Sequence, residues 1–129
     1  MAHPNEELIQ RGFEAFAKGD METVKALFAD DAVWHTPGRG PLAGDHRGRD
    51  QILSMLAKQV ELTGGSFRAE GHDILANDEH AVLLTKVRAE RGGKTWEDNG
   101  VVVFHVKNGM VSEAWLHPGD LYAGDEFFA

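Results

Sequence analysis

Apolar residues along the first half of the chain recur at the spacing of a helix face, and along the second half at the alternation of strands. In NEELIQRGFEAFAKGD, Leu8, Ile9, Phe13, Phe16 and Ala17 fall on one stripe, which predicts a helix. Asn5 is placed to cap its start, Glu6 and Glu7 suit the positive end of its dipole, and Gly19 suits its stop. Asp20 caps a shorter helix with Val24, Leu27 and Phe28 as its apolar face. DDAVWHT then reads as a strand that Pro37 ends. After a glycine-rich loop, DQILSMLAKQVEL places Ile52, Met55, Leu56 and Val60 at helical spacing, closed by Gly64 and Gly65.

Beyond that point the period changes. SFRAEGHDILA, HAVLLTKVRAER, KTWEDNGVVVFHV and MVSEAWLH are β-rich runs separated by Asn77-Asp78, Gly92-Gly93 and Asn108-Gly109, dipeptides that tolerate the positive φ of hairpin turns. Three helices with one strand among them, followed by an antiparallel meander, predict an α+β fold with helices on one face of a curved sheet. No repeat, linker or low-complexity tract interrupts the chain, so residues 1–129 are expected to form one domain.

Composition narrows the function classes. The hydrophobic share of 42% and charged share of 26% are those of a globular protein. A formal charge of −8, from 21 acids against 13 bases, argues against a nucleic-acid partner, which needs a basic face. No run approaches the length of a membrane span. The start MAHPNEEL shows no basic, apolar leader, and the chain has no cysteine, hence neither disulfide nor thiolate chemistry. A cytoplasmic location is the expectation.

The order of elements, together with AFAKGDMETVKALFADDAVWHTPG, GPLAGDHRGRDQI and VFHVKNGMVSEAW, resembles the NTF2-like superfamily and within it the SnoaL-like, ketosteroid isomerase-like group. The resemblance implies a cone: three N-terminal helices packed on a curved, mainly antiparallel sheet that encloses an apolar pocket. It also implies a homodimer through the convex sheet face. The acid-base residues of the group's known chemistries do not recur at the matching places. Ketosteroid isomerases carry a general-base Asp just before the proline that ends the first strand, where this chain has Thr36, and a protonated Asp that falls at Val102 or its neighbour Val103. SnoaL-type cyclases carry an acid-base Asp on the last strand, where Glu113-Ala114-Trp115-Leu116 stands. The Asp-Arg-Asp relay of limonene-type epoxide hydrolases falls at Val87, Ala89 and Leu116.

Strand alternation then assigns faces. Trp34, Thr36, Thr85, Val87, Ala89, Asp98, Val102, Phe104, Ala114 and Leu116 should point inward, and His105, Glu113, Trp115 and His117 outward. A bulge at Gly100 would shift this register. Trp34, Thr36, Thr85, Val87, Val102, Phe104 and Leu116 are therefore the candidate ligand-binding residues.

His35 and Asp98 are the candidate catalytic residues. His35 is either an acid-base group at the pocket rim or a structural imidazole holding the glycine loop; parity with Trp34 and Thr36 turns it away from the pocket. Asp98 is either a buried carboxyl with a raised pKa beside Trp96 and Phe104, or one bonded to a loop amide. His72 and Asp73, adjacent on a strand, point to opposite faces and make no direct dyad. The seven histidines lack metal-ligand spacings, so no metal is expected. PGRGPLAGDHRG is not a phosphate-binding P-loop, although Arg39, His46 and Arg47 could meet an anion at the mouth. The tail aromatics Tyr122, Phe127 and Phe128 are expected to pack, either over the open end or onto a partner chain.

Two functions remain open. One is a cofactor-independent acid-base enzyme, of isomerase, cyclase or hydrolase type, acting on an apolar cyclic metabolite. The other is a non-catalytic module that binds a hydrophobic ligand or serves as a dimeric accessory protein.

Overall fold

A computed structural model describes residues 2–129. The order is α1 (Pro4–Lys18), α2 (Met21–Leu27), β1 (Phe28–Thr36), β2 (Gly44–Arg47), α3 (Arg49–Leu62), β3 (Arg68–Ala76), β4 (His80–Arg91), β5 (Lys94–Lys107), β6 (Met110–His117) and α4 (Leu121–Phe128). His3, rather than Asn5, caps α1: its Nδ1 accepts the Asn5 N–H at 3.0 Å, with Pro4 in the first turn. The Asn5 side chain is buried and donates to the carbonyls of Asn77 and Asp78, tying α1 to the β3–β4 turn. Gly19 ends the helix at φ 75°, and its N–H returns to the Phe16 carbonyl.

The strands form one six-stranded sheet in the order β2-β1-β6-β5-β4-β3. β1 runs parallel to β6 and the other neighbours are antiparallel, so the sheet is mixed. The parallel pair is possible because α3 and the whole meander separate β1 from β6 and return the chain in the same direction.

The expected cone with three helices is corrected on two counts. β2 and β3 are free edges that do not pair with each other, so the sheet is open. A fourth helix, α4, follows β6. Its start is fixed by Asp120, whose carboxylate accepts the Ala123 N–H at 3.1 Å.

Register follows the alternation. The β4–β5 ladder is continuous from Arg91↔Lys94 to His80↔His105, with Thr85 opposite Gly100, so no bulge forms at Gly100. The irregularities fall at His72 in β3, between His105 and Val106 at the β6 pairing, and between Phe28 and Val33 where β1 pairs with β6. The core lies between the sheet's inner face and the helices. Phe28, Ile9, Ile52 and Val111 are its largest fully buried side chains, each contributing about 1.5–3 kcal/mol. α1 and α2 meet closely at Gly12, where a Cβ would lie 2.7 Å from Leu27 Cδ2.

Candidate functional site

The inner sheet face and the helices leave a cavity of ≈ 200 Å³. Trp34 and Thr36 reach it from β1, Thr85 and Val87 from β4, Asp98, Val102 and Phe104 from β5, and Leu116 from β6. These are eight of the ten residues that alternation turns inward, seven of them the candidate ligand-binding residues; Ala89 and Ala114 are buried in the core without lining the cavity. Helical residues complete the wall: Phe13 and Phe16 from α1, Leu27 from α2, and Met55, Leu56 and Gln59 from α3. Alternation along strands says nothing about these.

α4 supplies a further side. Leu121, Gly124, Asp125 and Phe128 line the cavity, and Phe127 stacks on Trp96 with ring centroids 5.4 Å apart. The tail aromatics therefore divide. Phe127 and Phe128 are buried against Trp96, whereas Tyr122 is 85% exposed, against the expectation that it packs. Asp125 fastens α4 to the glycine loop, its two oxygens accepting the N–H groups of Arg39 (3.0 Å) and Gly40 (3.3 Å). The helix carried a usable signal in the sequence: Asp120 as cap, then Leu121, Asp125 and Phe128 at one-face spacing.

The polar side chains on this wall are few, and they divide into engaged and unengaged groups. Asp98 accepts the Gly119 N–H at 3.0 Å, and the Thr85 hydroxyl donates to the Gly100 carbonyl at 3.1 Å. Trp34 Nε1, Thr36 Oγ1 and Trp96 Nε1 are buried without a hydrogen-bond partner among the described residues.

His35 stands on the opposite face of the sheet. Its Nδ1 meets Asp45 Oδ1 at 2.7 Å and its Nε2 meets Glu113 Oε2 at 2.6 Å. The ring stacks on Trp115 with centroids 5.2 Å apart. With a carboxylate at each nitrogen, the imidazolium that donates from both is favoured. The Glu113 bond, then the Asp45 bond, raise its pKa above the ordinary value; the His35 bond in turn lowers that of Asp45. His35 and Asp98, the two candidate catalytic residues, thus lie on different faces and do not meet.

The remaining polar candidates are dispersed. His46 donates from Nε2 to the Leu42 carbonyl at 2.7 Å, Arg47 lies 3.5 Å from Asp45, and Arg39 is exposed. Asp73 accepts its neighbour's N–H, that of Ile74. Among the described residues no three His, Cys, Asp or Glu side chains converge as a metal site, and no helix is long and apolar enough to cross a membrane.

Comparison with known proteins places this geometry. Residues 9–114 match the family model for a SnoaL-like domain. An uncharacterized protein of Mycobacterium tuberculosis, Rv0034, is 29% identical over 124 residues, covering 95% of each chain. Among solved structures, Bal32a from a soil-derived mobile gene cassette superposes with a TM-score of 0.94 at 42% identity, over 98% of this chain and 97% of that one. An NTF2-like protein from Burkholderia xenovorans shares the fold at 24% identity, with a TM-score of 0.82 over 98% and 96% of the two chains.

Proposed function

The chain belongs to the SnoaL-like domain family of the NTF2-like superfamily, and on that premise we propose that it binds an apolar small molecule in the cavity between sheet and helices, as a non-catalytic binding or accessory module. The observation that carries this reading is the chemistry of the wall. Aromatic and aliphatic side chains dominate it, and its two carboxylates, Asp98 and Asp125, already accept backbone N–H groups. Such engagement suits holding a wall in shape better than moving a proton, which favours binding over the acid-base enzyme that Asp98 would otherwise serve. A homodimer through the outer sheet face, where Val82, Leu84, Val101 and Val103 are half-buried and Leu75 is 54% exposed, completes the proposal.

Amide NMR of the protein titrated with neutral one- and two-ring compounds tests it. The expected result is saturable shifts at Val102, Leu116 and Phe128, retained in Asp98→Asn. Shifts confined to the outer face would refute it.

A further inference from the structure

The three orphaned polar atoms specify more than an apolar guest, on the premise that the cavity is a ligand site. Trp34 is only 9% exposed, and its indole nitrogen is a donor that cannot accept; the same holds for the nitrogen of Trp96. A buried donor without an acceptor is a standing penalty that an arriving acceptor removes. Trp34, Trp96 and Thr36 are all among the residues that line the cavity, and their orphaned atoms lie buried within its wall. Trp34 packs on Phe104, near the end of β5, with centroids 6.2 Å apart, whereas Trp96 stands near the start of that strand. The two tryptophans therefore stand in the cavity wall toward opposite ends of β5.

Charge and size narrow the class. Among the described residues no Lys, Arg or His lines the cavity, so an anion finds no counter-charge, and both carboxylates are occupied by backbone amides. A cavity of about 150 Å³ holds benzene, so ≈ 200 Å³ suits one ring or two fused ones. We propose that the ligand is a neutral one- or two-ring compound bearing carbonyl or ether oxygens on opposite edges, which accept from Trp34 Nε1 and Trp96 Nε1.

A matched series tests this: tetralin with no acceptor, 1-tetralone with one, and 4-chromanone with two on opposite edges. Calorimetric titration should find 4-chromanone binding at least about tenfold tighter than tetralin, with 1-tetralone between them. The indole Nε1–H signals of Trp34 and Trp96 should move downfield with 4-chromanone and stay with tetralin, while that of Trp115, on the outer face, does not respond. Trp34→Phe and Trp96→Phe should each shrink the advantage and leave tetralin affinity in place; the wild-type series decides alone if a variant fails to fold. Equal affinities across the series, or unmoved indole signals, would overturn the acceptor class and leave the binding reading standing. No binding by any of the three would overturn the binding reading and this inference with it.

Discussion

His35 and Thr36 are neighbours in sequence but stand on opposite faces of β1, so one meets carboxylates and the other a cavity wall. The His35 ion pairs carry a pH signature. Because its folded pKa is raised, their contribution is full below the ordinary histidine value of 6.5 and is lost as pH rises through the folded pKa. Asp45 is lowered, so its share is present above the ordinary value of 3.8 and is lost as pH falls. The stability gap between wild type and His35→Gln, read by urea unfolding, should therefore be larger at pH 5.5 than at pH 9. A gap that does not change across that range would contradict this. Two glycines give a second contrast. At Gly38, φ is +98° and a Cβ would lie 2.4 Å from Asp125 Oδ1, so Gly38→Ala should cost about 1–3 kcal/mol. At Gly100 the nearest atoms are 3.5 Å or more away, so Gly100→Ala should stay within about 0.5 kcal/mol. Chemical denaturation of the two variants compares them directly.

α4 shows how a short terminal helix can matter to a cavity that strands build. Ending the chain after Pro118 removes Phe127 and Phe128 from Trp96 and frees the Arg39 and Gly40 N–H groups. Burial of the two rings is worth about 3 kcal/mol or more, so Tm should fall by about 10 °C or more; an unchanged melting curve would show that the helix is dispensable. This element also marks the limit of the sequence reading. The first three helices and five of the six strands were legible because each has enough turns or alternations to display its period. GDHR, which forms β2, has only four residues and no apolar alternation, and LYAGDEFF has two turns with a glycine among its aromatics. The β1–β6 parallel pairing joins segments far apart in sequence, which no local pattern reports. The strand-borne wall of the cavity was readable for the same reason as the strands. The α4 wall and the Asp125 latch depend on tertiary contact, and so does the pairing of His35 with Glu113.

At the scale of the molecule, the sheet separates two chemistries. One register row across its outer face runs Leu75, Val82, Val103, Trp115, His35 and Asp45, apolar at the β3 edge and charged at the β2 edge. A second copy related by a two-fold axis would bring like positions together near that axis, so a single charge at the row's centre is introduced twice. Val103 lies between Val82 and Trp115 in this row. In sedimentation experiments the wild type should behave as a dimer and Val103→Glu as a monomer; a monomeric wild type at about 100 μM would end the dimer proposal. The cavity, by contrast, is walled by inward residues and helices of one chain. If the two faces act independently, 4-chromanone should bind Val103→Glu and wild type with dissociation constants within about twofold of each other, a difference of roughly 0.4 kcal/mol. A larger loss in the monomer would mean that the partner holds the sheet, and through it the indole donors, in the binding geometry.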